Sequence, residues 1–506
     1  MATLQELRDE RLRKLDDLKK LGVNPYPAKA SRTHHAAQIT NNFEELQGQV
    51  VTLTGRITGI RKFGKIAFVV LKDSTGSMQL FLKTGIVAET DAANNVIGIE
   101  NLPLLDSGDF IQATGPVIKT QTGEISVEAQ SLKLLTKSLR PLPTEQDGFT
   151  NKEERMRRRY VDTNVNNDVY HRYLRRSIFW QSTRQFMLQE GFVEMSIPVL
   201  EGVAGGADAN PFITHMDALD QDFYLRISHE LPLKRLLGGG YEKVFDIGPR
   251  FRNENYSDEH LPEHVAMEWY WAYADWRDGM KLTQRFIRHI ADQTWGKRQF
   301  TLAGGQQIDL GPDDQDWPEV SFVQVIKDRY NIDVFDTSLE EVQKAVRENG
   351  IEVEKADNIN RCIDKLWKKI RVEIDGPAFL VDVPTFLQPL AKTQIADPRL
   401  SEQFNLLLGG TEACKAYSEL NDPIDQLNRF TEQQKMRDDG DDEAMMLDID
   451  FVEMLEYGMP PACGYGHSER IFWMLEGVTA REGVPFPQLR SEIDETTRKI
   501  YPELNL

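Results

Sequence analysis

The stretch Val244-Phe245-Asp246-Ile247-Gly248-Pro249-Arg250-Phe251-Arg252-Asn253-Glu254, answered downstream by His264-Val265-Ala266-Met267-Glu268-Trp269-Tyr270-Trp271, decides how this chain is read. Both halves are rich in β-branched and aromatic residues, which predicts strands over 244–252 and 264–274 with a long polar turn, Asn255 to Glu263, between them. An antiparallel hairpin of this kind leaves Arg252 at the end of its first strand and puts Glu268 on its second. A guanidinium there grips a phosphate through several fixed N–H donors, which a lysine does not do bidentately. With Tyr270 and Glu268 downstream and Arg470 near the end of the chain, the segment points to chemistry on a nucleotide.

Working outward, 506 residues exceed one ordinary core, so two or more domains are expected. Hydrophobic residues at 40% and charged residues at 28% fit a soluble globular protein. No apolar run reaches membrane-spanning length and the first residues lack a signal-peptide core, so the expected compartment is the cytoplasm, with no membrane partner. Cys362, Cys414 and Cys463 are odd in number and far apart, which argues against a disulfide framework or a closed zinc site and for free thiols. A net charge of -20 disfavours a nucleic-acid partner for the chain as a whole, but local basic stripes can still bind RNA. Two exist: Arg8 to Lys20, threaded by Leu4, Leu7, Leu15, Leu18 and Leu21, and Arg155 to Arg159. Each reads equally as a solvated helix face.

Along the chain, a first helix ends at Gly22, before Pro25 and Pro27. Alternating strands follow at 50–58, 65–71, 78–82, 110–117 and 124–134, separated by turn signals such as Asp73-Ser74-Thr75-Gly76. Five short strands suit a small closed barrel of the oligonucleotide-binding type, in which Phe68 and Gln79 could stack on and hydrogen-bond to bases. Arg140-Pro141-Leu142-Pro143 reads as a linker and 152–160 as an arginine-rich helix. The remainder lacks strand-helix alternation, a Walker loop and a dinucleotide fingerprint, so phosphates would have to be held by side chains. The stretch 277–375 reads as mainly helical, with helices at 339–350 and 358–371.

These residues together resemble the class II aminoacyl-tRNA synthetases, most closely the lysyl-tRNA synthetases, over nearly the whole length. The parts stand in family order: the basic N-terminal helix, the barrel, Ser138-Leu139-Arg140-Pro141-Leu142-Pro143, and Arg158-Arg159-Tyr160-Val161-Asp162. Phe192-Val193-Glu194-Met195 with Pro198 is similar to the dimer-forming first motif, the Arg252 segment to the second, and Gly458-Met459-Pro460-Pro461 through Arg470 to the third. The resemblance implies an α+β multidomain fold: an N-terminal five-stranded OB-type β-barrel and a catalytic domain with a central antiparallel sheet flanked by helices. The corresponding boundaries are 1–30 for the N-terminal helix, 45–140 for the anticodon-binding barrel, 141–165 for the linker, and 166–506 for the catalytic domain with a helical insertion at about 277–375. It also implies a homodimer that uses ATP, L-lysine and tRNA(Lys), with Mg²⁺ as cofactor. By the same resemblance Arg252 and Arg470 are the catalytic cations on the α- and γ-phosphates, and Glu254, His260 and His264 complete the ATP site. Gly206, Glu230, Glu268, Tyr270, Lys415, Tyr417 and Glu419 would surround lysine; Glu412, Glu419 and Asn405 would hold the metal; and Arg56, Phe68, Gln79 and Glu128 would read the anticodon.

The chain departs from the family pattern at several of these positions. Lys415 stands where Asn is usual, and is expected to pair with a pocket carboxylate. His264 replaces the Phe that stacks on adenine, Asn405 a metal-binding Glu, and Glu259 an Arg that contacts ATP, for which Arg250 is the candidate substitute. Gly464-Tyr465-Gly466-His467-Ser468-Glu469-Arg470 carries fewer glycines than the usual floor of the ATP site. Two competing readings follow from these departures: a related synthetase with another amino-acid specificity, signalled by Lys415, and a non-catalytic RNA-binding relative.

Overall fold

The computed structural model describes residues 3–143, 149–254, 257–354, 357–438, 440 and 444–504. Asn255 of the long turn lies outside them. The chain forms two compact units, 1–151 with 489–506, and 152–488.

The first unit is built on strands β1 (Val50–Phe63), β2 (Ile66–Lys72), β3 (Ser77–Lys83), β4 (Phe110–Lys119), β5 (Ile125–Glu128) and β6 (Ser131–Thr136). Pairing in the order β1-β2-β3-β5-β4, with β4 returning to β1, closes a five-stranded barrel. Alternate residues such as Val51, Leu53, Val69, Leu71, Leu80 and Leu82 fill it, as the period of two requires. The strand expected over 124–134 is broken: β5 closes the barrel and β6 runs on beside β4. At the break the chain passes close to β4, where Gly115 is required because a Cβ would lie 1.9 Å from the Glu128 carbonyl oxygen. Strand β1 also runs five residues beyond the expected Thr58, through a bulge between Ile57 and Gly59.

The helix Leu4–Lys20 opens with a capping box between Thr3 and Glu6. Its basic stripe is largely spent inside this unit. Arg11 is buried and donates to Ser138 and to the Ser107 carbonyl, Lys14 pairs with Asp106 at 2.6 Å, and Arg13 pairs with Glu10 and Asp17. The second basic stripe, in the other unit, is likewise internal. The expected helix 152–160 breaks at Arg158 into Lys152–Arg157 and Arg159–Val165, and Arg155 and Arg159 both bond the buried Asp162, at 2.8 and 2.6 Å.

The second unit carries an eight-stranded sheet in the order β15-β16-β17-β18-β19-β12-β11-β7. Its strands are β7 (Val193–Glu194), β11 (Lys243–Phe251), β12 (Glu263–Ala272), β15 (Glu319–Ser321), β16 (Ala378–Val381), β17 (Gln403–Leu408), β18 (Thr411–Ser418) and β19 (Ala462–Ser468). All neighbours are antiparallel except the two edge pairs, β7–β11 and β15–β16. A small sheet of β8 (Leu200–Glu201), β9 (Ile213–Met216) and β10 (Gln221–Leu225) and a hairpin of β13 (Gln299–Thr301) and β14 (Gln307–Asp309) complete the strands. The α+β class and the central antiparallel sheet agree with the sequence reading.

The stretch 277–375 is more mixed than expected. The helix Trp276–Trp295 packs on the central sheet, the β13–β14 hairpin follows, and β15 joins the sheet edge. Strands of three residues are too short to show a period in sequence. The helices Phe322–Tyr330, Leu339–Glu348 and Ile359–Arg371 then form a satellite core around Val342, Leu366 and Trp367.

One face of the central sheet is sealed by helices Asn167–Gln189 and Trp276–Trp295 through an aromatic cluster in which Trp269 stacks on Tyr465 at 5.3 Å and Phe192 meets Trp269 edge-on. Such pairs add about 0.5–1.5 kcal/mol beyond area burial. Trp269→Ala should therefore destabilise this unit by about 3–5 kcal/mol, seen as a lower urea midpoint of the tryptophan fluorescence transition. A midpoint unchanged within error would mean that the cluster does not support the sheet.

Candidate active site

The open face of the sheet becomes a site through strand register. Across four strands Lys415, Gly466, Glu268 and Asp246 form one row, and Tyr417, Gly464, Tyr270 and Val244 the next. The glycines of β19 leave the middle of both rows without side chains. At Gly464 a Cβ would lie 2.0 Å from Glu419 and 2.4 Å from Tyr270, and at Gly466 it would lie 3.2 Å from Glu268. Above them opens a cavity of about 360 Å³.

Carboxylates line one end. Glu268 is buried and fully engaged: Ser228 Oγ and the His229 N–H donate to Oε1 at 2.8 and 3.1 Å, Tyr270 donates to Oε2 at 3.0 Å, and Arg250 stands 3.5 Å away. Burial would raise its pKa, but hydrogen bonding and charge from His229, with the Arg250 charge, hold it at about 2. Glu230 opens the helix Glu230–Gly238, where the helix dipole favours an anion. It accepts from Tyr417 at 2.7 Å and from Lys234, one turn on, at 2.6 Å. Glu419 is ion-paired through Oε2 to the same ammonium, and its Oε1 has no hydrogen-bond partner among the described residues. Burial pushes both Glu230 and Glu419 upward in pKa against the pull of Lys234. Gly206, at φ +83, is required by this packing, since a Cβ there would meet Glu230 at 2.9 Å and Ser228 at 3.0 Å. Its absent side chain makes room for these residues.

Arginines line the other end. Arg252 follows β11 directly, its N–H held by the Pro262 carbonyl at 2.8 Å, and its buried Nε meets no acceptor among the described residues. Arg470 begins the helix Arg470–Glu476 and donates from Nη2 to His260 Nε2 at 2.6 Å. Arg250 donates to His264 Nε2 at 2.8 Å. Burial and the neighbouring Arg252 charge lower the Arg250 pKa to about 9. Arg470 is lowered too, first by burial, while Glu259 opposes the shift. Arg250 is depressed further by the Arg470 charge, and Arg470 by Arg371 and Arg252, so this end of the cavity favours an anion. His264 is neutral, driven well below the usual imidazole value by burial and then by Arg250. With Nδ1 on the Leu261 carbonyl at 3.1 Å, both of its nitrogens are held. Glu254, Glu259 and His260 also line this end.

Several expected positions differ. Lys415 does not pair with a carboxylate among the described residues; it is exposed, with Nζ 5.9 Å from the Tyr417 ring centre. The Glu268 oxygens opposite are already occupied, and the long stem carries the ammonium to water. The three residues expected at a metal do not converge. Asn405 Nδ2 donates to Glu412 Oε2 at 2.6 Å and Trp367 to Oε1 at 2.7 Å, whereas Glu419 lies seven residues on, past the far end of β18, a path of roughly 23 Å in extended chain. Glu412 keeps free lone pairs and partial exposure, so it fits a divalent cation shared with substrate phosphates; Glu419, committed to Lys234, does not. The sequence reading missed Lys234, whose signal was its i,i+4 spacing from Glu230. It also missed Arg226, which pins β11 by donating to Asp246 at 2.9 Å and to the Pro249 carbonyl at 2.8 Å.

On the barrel, Phe68 is half-exposed and lies outside the core. It stands in a row Arg61–Phe68–Phe81–Glu128 across β1, β2, β3 and β5, with ring centres 5.5 Å from Phe81 and 6.4 Å from Phe63. Gln79 lies one row away and donates to Ser126 at 3.0 Å. Arg56 is apart from this group, donating to the Gly108 carbonyl at 3.0 Å beneath the Phe110 ring. Arg61 and Phe63 were not foreseen because β1 was read as ending at Thr58, whereas Phe81 lies within the strand read at 78–82 and was not singled out.

No helix among the described residues is long and apolar enough to cross a membrane, and the three cysteines are free and buried. Residues 151–490 match the family described as tRNA synthetases class II (D, K and N), and residues 51–135 the OB-fold nucleic acid binding domain. Over 498 residues the chain is 40% identical to the lysine–tRNA ligase of Fervidobacterium nodosum, covering 97% of this chain and 95% of the relative. It is 39% identical to that of Thermotoga maritima, covering 96% of each, and 41% identical to that of Carboxydothermus hydrogenoformans, covering 96% and 98%. With its sheet, its barrel and these matches in agreement, the chain belongs to the class II tRNA synthetases of the D, K and N group.

Proposed function

We propose that this protein is a lysine–tRNA ligase, which joins L-lysine to ATP and passes the lysyl group to the 3′ end of tRNA(Lys). The observation that carries the reading is one cavity that gathers both signs of charge, with buried carboxylates around Glu419 and guanidiniums around Arg252. An amino acid with a cationic side chain and a polyphosphate can occupy it together. The lysine ammonium lies against Glu419 and Glu230, which takes the desolvation out of burying it. The carboxylate oxygen of lysine attacks the α-phosphorus, the bond to the bridging oxygen breaks, and pyrophosphate leaves. Arg252 holds the α-phosphate and Arg470 the γ-phosphate, so both meet developing charge with donors already in place. Arg470 gives one contact from Nη2 to His260 and has further N–H donors for that phosphate. The neutral ring of His264 offers adenine a face, and Glu254 orients the base. Mg²⁺, held by Glu412 with Asn405 beside it, supplies further neutralisation of phosphate charge when bound. In the second step a ribose hydroxyl of tRNA attacks the lysyl carbonyl and AMP departs.

Lys415 lines the cavity without pairing to Glu230, Glu268 or Glu419 among the described residues, so the carboxylates remain to receive a cationic side chain and lysine is favoured over another amino acid. The retained Arg252, Arg470 and Glu419 favour an active enzyme over a binding relative. The apolar face formed by Leu174, Ile178 and Leu188 on helix Asn167–Gln189 and Val193 on the edge strand β7 is exposed, and it supports a homodimer through the first motif. The proposed compartment is the cytoplasm.

Pyrophosphate exchange across a panel of amino acids tests the reading: lysine alone should drive exchange, and activity only with another amino acid would refute it. Arg252→Ala should lower the exchange rate by roughly 100- to 1000-fold at saturating ATP; a rate near that of the parent would remove Arg252 from the chemistry. Phe68→Ala should weaken aminoacylation by roughly tenfold or more while leaving exchange intact, the loss of one stacked base being about 1–3 kcal/mol. Equal losses in both steps would count against anticodon reading by this face. Ile178→Asp combined with Leu188→Asp should convert a dimer to a monomer in sedimentation velocity, and an unchanged mass would exclude this helix from the interface.

A further inference from the structure

Lys234 is an ammonium with no exposed surface, on the floor beneath the carboxylate end of the cavity. Its Nζ lies 2.6 Å from Glu230 and in contact with Glu419, and is 5.6 Å from the Tyr417 ring centre and 5.9 Å from that of Phe451. It does not line the cavity, so its cation is directed at the two glutamates and away from any substrate. The charges at this end can be counted. Glu268 is answered by Arg250 at 3.5 Å, while Glu230 and Glu419, with both ionised, share the one positive charge of Lys234, which leaves one negative charge uncompensated. That charge falls where Glu419 has acceptor capacity left over.

We propose that Lys234 is a positioning residue that sets the specificity of the pocket: it holds Glu230 and Glu419 together and trims their charge to the single negative charge that one side-chain ammonium neutralises. Two unbalanced carboxylates would repel one another and splay. A pocket with no net charge would leave the incoming ammonium buried without a counter-charge. The inference rests on the lysine-ligase reading and adds to it a residue that touches no substrate.

The test uses the full-length protein and reads the KM for lysine by pyrophosphate exchange, with the Kd for ATP measured calorimetrically without lysine. The parent protein comes first: if lysine drives no exchange, the ligase reading itself has failed. Lys234→Met leaves two carboxylates unbalanced and Glu230→Gln leaves none. Each should raise the KM for lysine roughly 30-fold or more, as loss of one partner of a buried charge pair does, with the Kd for ATP within about threefold of the parent. The double variant returns the pocket to one negative charge and should bind lysine more tightly than either single variant, within roughly tenfold of the parent. If Lys234 were only a core strut, its removal would add to the damage of Glu230→Gln. A double variant as weak as the weaker single, or one that does not fold, overturns the proposal. Should Lys234→Met alone fail to fold, the comparison of the double variant with Glu230→Gln decides: tighter lysine binding supports the charge count, and equal or weaker binding overturns it.

Discussion

Two glycines on one central strand make the site possible. Gly464 and Gly466 lie between β12 and β18, in the two rows that carry Tyr270, Tyr417 and Glu268, and any side chain at Gly464 would collide with Glu419 and Tyr270. A sheet normally covers both of its faces with side chains; here the central strand leaves one face bare, and the cavity is that bare patch. The opposite face of the same strand carries Tyr465 and His467 into the aromatic core, where Tyr465 stacks on Trp269 and His467 on Trp180. One strand thus anchors the sheet on its buried side and makes room for substrate on the other, so the stability of the core and the shape of the site share a backbone.

The cavity is organised by charge along its length. At one end the cations Arg250, Arg252 and Arg470 crowd together, which lowers the pKa of Arg250 and Arg470, and at the other end Glu230 and Glu419, when ionised, exceed their counter-charge by one. Arg250 joins the two ends, donating to His264 on one side and facing Glu268 on the other. Charges held this way in a low-dielectric setting cost folding energy in the empty protein. A ligand with a cation at one end and phosphates at the other relieves both imbalances at once, which is the physical sense of the proposed function.

Much of this was legible in the sequence, and the limits have physical causes. The hairpin around Arg252 could be read because its strands are long enough to show their composition, and the barrel because Val51, Leu53, Val69 and Leu71 alternate cleanly. Glu230, Glu268, Tyr270, Tyr417, Glu419, Arg252 and Arg470 do line one cavity. What could not be read were contacts fixed by three-dimensional competition. Lys415 lies in register with Glu268, yet does not pair with it, because Ser228, His229 and Tyr270 have already taken the carboxylate. Glu412 and Glu419 looked like partners in a list of acidic residues but are separated by the length of a strand. Lys234, an ordinary helix lysine in sequence, is one of the most buried charges in the unit. The basic stripes of residues 8–20 and 155–159 read as RNA contacts or solvated helix faces; Arg11, Lys14, Arg155 and Arg159 are spent on partners inside their own units, while Arg13, Lys19 and Lys20 stay exposed.

The claim that one cavity takes lysine at its carboxylate end and ATP at its guanidinium end is tested most directly by a crystal structure of the protein soaked with L-lysine and a non-hydrolysable ATP analogue. The account predicts the side-chain ammonium within hydrogen-bonding distance of Glu419, Lys234 still beneath it, and phosphate oxygens on Arg252 and Arg470. An ammonium bound elsewhere, or phosphates that avoid both arginines, would contradict it.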